Sequence, residues 1–300
     1  MPILTLTLFD RHVHVQCPDP EVMDLVNVNY GQMRTDIVGA DLRYRISRES
    51  TSSFFRLTRK TNAPLFAAND SELLFLLEKD LTVEMQKLRS DLYFLHAAVL
   101  GFRGKACLLV APSGGGKSLT TWALLHHGFH YSSDELGPVD LNTLTVFPYP
   151  RALCLKSAPP TSYPLPIDTL FTSRTIHIPT AALPAAVCTK PIPLVALFFL
   201  QYRPEMAQPQ LQHITKAEAG ARLFVNTLNP LAHSGEGLDG AVAIVTQTQC
   251  FQLLSADLSA TCALVKATMS RLDESLKKTS VATPELRSRR TATISSFTGR

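Results

Sequence analysis

No apolar run in this chain approaches the roughly 18 residues that a membrane-spanning helix requires. The longest is Leu194-Val-Ala-Leu-Phe-Phe-Leu200, so neither a span nor a membrane partner is expected. The N-terminus, Met1-Pro-Ile-Leu-Thr-Leu-Thr-Leu-Phe9, alternates apolar and polar residues, has no early positive charge and runs straight into Asp10-Arg11-His12. That is a strand pattern and not a signal peptide. The six cysteines, at 17, 107, 154, 188, 250 and 262, form no C-x-x-C pair and have no histidine at zinc-ligand spacing. They sit mostly in apolar stretches, which predicts reduced core thiols and a cytoplasmic location. Excess charge is also missing from the body of the chain. From Lys277 onward six positive residues face one negative, a balance of +5, which leaves residues 1–276 at −1 out of the total of +4. A near-neutral body offers no electrostatic footprint for nucleic acid, and the basic, Ser/Thr-rich segment 277–300 reads as a disordered tail.

What is present is enough apolar residue, 45% of 300, for one large or two ordinary domains. Residues 1–68 hold short strand-like segments at 3–9, 12–17, 37–46 and 54–58 between Pro, Asn, Gly and Ser signals, and predict a small, mostly β lobe. Its segment 34–60 carries seven Arg/Lys against three acids, read as a solvated strand face with the capacity to dock an acidic partner. Asp70 or Ser71 is expected to cap a helix through about Arg89, with Leu73, Leu74, Leu77, Leu81, Met85 and Leu88 near a 3.6-residue period. That helix joins the lobe to a second domain, 69–276. There a hairpin through Gly101 and Gly104 is followed by a glycine loop and a helix stopped at Gly128, with His126 and His127 in its last turn as caps. A strand ending at Asp134-Glu135, a hairpin over 136–147 and a strand over 151–156 come next. The proline-dense 159–166 is a surface loop suited to a lid or docking element. A strand at 194–200, a helix from Lys216 behind the capping box Thr215-x-x-Glu218, a helix near 237–247, a strand at 251–254 and a helix over 258–276 complete an α/β domain without internal repeats.

Chemistry concentrates in Ala111-Pro-Ser-Gly-Gly-Gly-Lys-Ser118, which follows the apolar Cys107-Leu-Leu-Val110 and opens into Leu119-Thr-Thr-Trp-Ala-Leu-Leu-His-His127. Strand, glycine-rich loop and helix is the context a P-loop needs. Gly114, Gly115 and Gly116 let consecutive backbone N–H groups converge, and the helix N-terminus adds partial positive charge. Ser113, Gly114, Gly115, Gly116, Lys117, Ser118 and Leu119 are therefore the expected cradle for ATP. Lys117 would reach the β- and γ-phosphates, and the Ser118 hydroxyl would complete the coordination of Mg²⁺. The alternative is a glycine-rich turn that happens to precede a lysine. Ala111 replaces the first glycine of the motif, which is tolerable if its φ stays negative.

A phosphate cradle alone does not choose between a kinase, a motor ATPase and a switch. The residues before Asp134, Phe-His-Tyr-Ser-Ser, are half polar, unlike the apolar strand that precedes the Mg²⁺-side aspartate of motor ATPases. The chain has no ABC-type signature and no Asn-Lys-x-Asp. Two cations, Arg151 and Lys156, are five residues apart, so strand alternation lets at most one face the phosphates. Arg151 is the choice, because its planar fork suits a charge clamp.

His96 in Phe94-Leu-His-Ala-Ala98, fifteen residues before Ala111, the glycine loop, a helix ending in His-Gly and Ser-Asp-Glu135 together resemble the HPr serine kinase family, in the branch with an added N-terminal lobe. Phe147-Pro-Tyr-Pro-Arg-Ala-Leu-Cys-Leu-Lys156 and Phe224-Val-Asn226 are similar to further segments of that branch. The resemblance is strong over 94–156 and otherwise a matter of layout. It implies a P-loop core like that of phosphoenolpyruvate carboxykinase, and transfer of phosphate from ATP to a serine hydroxyl of a protein or peptide partner. Asp134 would hold Mg²⁺, and Glu135, where the family often has an aspartate, would accept the serine proton. His96 would approach the transferring phosphate, although a lone histidine in an apolar strand is ordinarily a satisfied core residue. Asp134, Glu135, His96 and Arg151 are thus the expected catalytic set. The resemblance also implies a homo-oligomer, against which the added lobe would stand. A small-molecule kinase, a tailoring kinase for a biosynthetic peptide and a nucleotide-binding module without transfer activity remain as alternatives.

Overall fold

A computed structural model describes residues 2–48, 54–60 and 62–281. The first unit is a five-stranded sheet in the order β1-β2-β3-β4-β5, made of β1 (Ile3–Leu8), β2 (Arg11–Gln16), β3 (Leu42–Arg48), β4 (Phe55–Arg59) and β5 (Leu65–Ala67). Alternation sends Leu4, Leu6, Leu8, Val13, Val15, Tyr44, Ile46, Phe55 and Leu57 to one face. Two helices cover that face: α1 (Pro20–Tyr30), which carries the crossover between parallel β2 and β3, and α2 (Asp70–Leu88). Each buried leucine there is worth roughly 1.5–3 kcal/mol.

The lobe differs from expectation in two respects. It contains α1, whose start is fixed by Asp19 accepting from Glu21 N and Val22 N and by Pro20 in the first turn. In addition, Leu73, Leu74, Leu77, Leu81 and Met85 of α2 share one apolar cluster with the sheet, so α2 packs as part of the lobe and not merely as a link. Asn69, one residue earlier than expected, caps α2 by accepting from Glu72 N.

The second unit runs β6 (Leu92–His96), β7 (Ala98–Phe102), β8 (Lys105–Val110), α3 (Lys117–His126), β9 (His130–Ser133), β10 (Leu136–Asp140), β11 (Thr145–Val146), β12 (Leu153–Leu155), β13 (Leu170–Phe171), β14 (Ile176–Ile178), β15 (Ile192–Tyr202), β16 (Gln210–His213), α4 (Lys216–Phe224), α5 (Leu238–Gln247), β17 (Gln249–Ser255) and α6 (Leu258–Val281). Its main sheet is ordered β6-β10-β11-β15-β8-β7-β9, with β17 also on β15 and β16 on β17. Alternate residues of β8 feed opposite layers. Cys107 and Leu109 meet Trp122 of α3 and Val265 of α6, whereas Leu108 and Val110 meet Leu223 of α4 and Ile244 of α5. Burial on both faces explains why β8 and β15 read as continuous apolar runs. Strands β8, β15 and β17 are mutually parallel, so their carboxyl ends open on one side of the sheet, where α/β sheets place their crevices.

A three-stranded sheet, β12-β14-β13, lies beside α3. The strands β13, β14 and β16 have only two to four residues each, too few to leave a period in the sequence. The final helix continues past residue 276 to Val281, and Lys277 bonds Asp273 at 2.7 Å. The basic segment from 277 therefore begins as helix, and the expected tail over 282–300 lies outside the described residues. The six cysteines are all free. Among the described residues, no helix is long and apolar enough to cross a membrane.

Candidate active site

The Ala111–Ser118 loop leaves the carboxyl end of β8 and becomes the first turn of α3, whose N-terminus has no side-chain cap. Its orphan N–H groups therefore face the crevice. Gly116 has φ +90°, a conformation costly for any L-residue, and a Cβ on Gly115 would come within 2.9 Å of the Ala111 Cβ. Ala111 itself lies outside the left-handed region, so the missing first glycine imposes no backbone strain. The Lys117 ammonium donates to Ala111 O at 2.6 Å and lies 3.4 Å from Pro112 O. Burial, opposed by Glu135 and Asp134 and reinforced by Lys156, holds that ammonium below its ordinary range. Both of these partners are neutral carbonyls, which the oxygens of an anion in the loop would replace.

Two carboxylates stand where β9 gives way to β10. Asp134 is 1% exposed. Its Oδ2 accepts from Ser118 Oγ at 3.2 Å and Cys154 N at 3.0 Å, and its Oδ1 accepts from Tyr131 OH at 3.1 Å. Burial pushes the Asp134 carboxyl up, with the Arg151 charge as the main opposing effect. One hydroxyl and one carboxylate converging in this way fit the protein's share of a Mg²⁺ site, the remaining ligands being phosphate oxygens and water. Glu135 points into the cavity, and His96 Nε2 lies 3.2 Å from its Oε1. Burial alone would raise the Glu135 carboxyl, but the His96 ring beside it and the Arg151 and Lys117 charges outweigh burial and bring it down to about 2.

His96 ends β6, opposite Leu136 of β10, and its backbone N–H donates to Asn226 O at 2.8 Å. The stretch Phe224–Asn226 thus reaches the site through its main chain.

Arg151 does not occupy the clamp position expected of it. Its guanidinium lies between Glu78 Oε1 of α2, at 3.1 Å, and Asp134 Oδ1, at 3.4 Å, and does not line the cavity. The Glu78 pair is close but misaligned for a hydrogen bond, for neither atom has a partner by angle. Glu78 is held on its other oxygen by Tyr30 OH and Tyr149 OH. The cation facing the loop is Lys156, which donates to Ser113 Oγ at 3.0 Å and lines the cavity. One of the two cations faces the loop, as alternation allowed, but the preference for Arg151 rested on its planar fork, and Arg151 lies outside the strand, which covers only 153–155.

His127 is the C-cap residue of α3 and His126 stands in its last turn, as expected of capping residues. Burial lowers both imidazoles, and both pack on Tyr163, His127 Nε2 lying 2.9 Å from its hydroxyl. Trp122 Nε1 donates to Tyr163 O at 3.0 Å, so the proline-dense loop is pinned at Tyr163 while Ser157, Pro160 and Ser162 border the cavity.

Over the loop lies one cavity of about 540 Å³, a size that suits a small-molecule ligand. Lys117, Ser118, His96 and Glu135 gather in it, with Ser113, Gly114, Gly116 and Leu119 along the wall. Gly115 turns away into a neighbouring groove. Sequence reading passed over Lys156 in favour of Arg151 and missed the residues across the cavity, Tyr202 and 255–259. The usable signal for the latter was their place at the ends of the buried parallel strands β15 and β17. Among the described residues, no group of three or more His, Cys, Asp or Glu is placed to hold a metal ion by itself. Compared with known proteins, the chain matches no family model, and no curated protein is significantly similar to it.

Proposed function

We propose that this chain is an ATP- and Mg²⁺-dependent kinase of the HPr serine kinase type, with a P-loop core behind an added N-terminal lobe, acting on a serine or similar hydroxyl of a protein or peptide. The observation that carries this reading is the meeting of Lys117, Ser118, His96 and Glu135 in one cavity at an uncapped helix N-terminus. The backbone N–H groups from Gly114 to Leu119 bind the phosphate chain, and Lys117 exchanges its carbonyl partners for phosphate oxygens. Ser118 and Asp134 would hold Mg²⁺, which when bound would neutralise charge on the phosphate chain. The acceptor oxygen attacks the γ-phosphorus, the bond to the bridging oxygen of ADP breaks, and the hydroxyl proton passes to the Glu135 carboxylate. His96 orients Glu135, and Lys156 adds positive charge on the loop side. Six free thiols agree with a cytoplasmic setting.

A second reading, a nucleotide-binding module without transfer, has one observation in its favour. Asp134 already accepts from Ser118, Tyr131 and Cys154 and pairs with Arg151, and a metal must compete with these partners. Incubation with γ-labelled ATP, Mg²⁺ and host-cell extract separates the readings. A labelled protein or peptide is the expected result, a labelled small molecule would reassign the acceptor, and binding without transfer would select the module. Lys117→Ala should abolish binding, and retained affinity would remove the loop from the reading.

A further inference from the structure

The cavity, at about 540 Å³, is larger than a phosphate chain needs, and its lining differs in chemistry from one part to another. One end carries His96, Glu135, Lys117 and Ser118, the groups that a γ-phosphate would meet. Glu135 there follows β9, which lies beyond β7 on the far side of β8 from β15. The other end lies across β8, over the carboxyl ends of β15 and β17. There Tyr202, the last residue of β15, pairs in register with Ser255, the last of β17, and the chain turns into α6 at Leu258. Facing them across the cavity is the proline-dense loop, fixed by the Trp122 bond to Tyr163 O.

This end has the makings of a slot for a flat ring. Tyr202 is 59% exposed and lines the cavity together with Pro160, Tyr163 and Leu258. An aromatic ring so exposed at the mouth of a cavity is poorly used by the fold itself. Polar atoms lie at the edge: the Asp257 carboxylate, which also accepts from Ala260 N at 2.8 Å, and Ser259. Apolar walls with an acceptor at the rim suit a nucleobase, whose faces are apolar and whose edge carries N–H donors. The loop fixes the phosphates at the N-terminus of α3, and Glu135 fixes which way the γ-phosphate points, so the nucleoside has one direction left.

Resting on the kinase reading above, we propose that the base of the nucleotide binds between Tyr202 and the Pro160–Tyr163 loop, with Tyr202 as its stacking platform. Tyr202 then sets affinity for the nucleoside and not for the phosphates.

The test compares ATP with inorganic tripolyphosphate, each with Mg²⁺, by titration calorimetry on the full chain. For Tyr202→Ala, ATP affinity should fall on the order of tenfold, as base–aromatic stacking elsewhere predicts, while tripolyphosphate affinity stays within twofold of wild type. Tyr202→Phe should bind ATP as wild type does. Equal ATP affinity in wild type and Tyr202→Ala would overturn the proposal. So would a parallel loss of both ligands, which would mean a disturbed loop, or a loss in Tyr202→Phe, which would assign the contact to the hydroxyl. Wild type that binds neither ligand would instead defeat the kinase reading, and this proposal with it.

Discussion

His96 Nε2 stands 3.2 Å from Glu135 Oε1, joining the end of one strand to the turn between two others at the mouth of the cavity. The pairing gives Glu135 a fixed direction and, with the Arg151 and Lys117 charges, keeps it ionised. Glu135→Gln should lower phosphoryl transfer by about 10²–10⁴-fold while ATP affinity stays within twofold. Transfer from γ-labelled ATP checks this, and an unchanged rate would remove Glu135 from the base role.

The same pair predicts a pH effect. A carboxyl held near 2 stays charged at every pH where the protein is assayed. Without the His96 ring its value should move up toward the ordinary 4.5, so the acid limb of the pH–rate profile in His96→Asn should move to higher pH than in wild type. Superimposable acid limbs would show that the histidine does not govern the carboxylate.

Lys156 and Arg151 should separate cleanly. Lys156→Ala, on an exposed side chain at the loop, should raise the KM for ATP roughly tenfold with an unchanged melting temperature. Arg151→Met leaves Glu78 and Asp134 buried without their counter-ion and should cost about 3–5 kcal/mol of stability. Urea melts and initial-rate kinetics on both variants decide the matter. A stable Arg151→Met with a raised KM would restore the clamp role to the arginine.

His177 provides a stability test that does not involve the nucleotide. Its Nδ1 lies 2.7 Å from Asn29 Oδ1 of α1, and its Nε2 lies 2.8 Å from Thr175 Oγ1. Burial, and then the Arg151 charge, lowers its imidazole to about 4 from an ordinary 6.5. The folded state therefore resists a proton that the unfolded chain takes up. The stability His177 contributes is complete above pH 6.5 and declines as pH falls toward 4, a loss of roughly 3 kcal/mol. Urea midpoints at pH 7 and pH 4.5 should diverge more for wild type than for His177→Gln, and equal divergence would exclude this residue as the cause.

Ala111→Gly tests the departure in the loop. Because Ala111 already lies outside the left-handed region, restoring glycine should leave ATP affinity within twofold and lower stability by about 0.4–1 kcal/mol through the freer unfolded chain. A large gain in affinity would show that the alanine had been limiting the cradle.

The loop and its helix were legible because Gly-Lys-Ser between a buried strand and a helix is a local pattern, and Glu135 and His96 were named through the resemblance to the HPr serine kinase family. What escaped reading depended on contacts distant in sequence. Helix α1 was hidden in a stretch scanned for strands, although Asp19-Pro20-Glu21 carries a start signal. Arg151 was chosen over Lys156 for its planar fork, whereas its position follows from Glu78, a residue on a helix 73 positions earlier. Tyr202 carries no motif at all, and only the parallel pairing of β15 with β17 brings it to the crevice.

Because one guanidinium answers both to Glu78 beneath the N-terminal sheet and to Asp134 behind the nucleotide loop, the first 90 residues are not a detachable ornament. A shortened protein beginning at β6 would take away one of the two anions that hold the arginine in place and lay bare the Phe94 and Tyr149 rings that now rest on Phe9. Any force bending the amino-terminal third would thus be passed on through Arg151, as well as through the Phe9 ring, to the ground on which the Asp134 carboxylate stands.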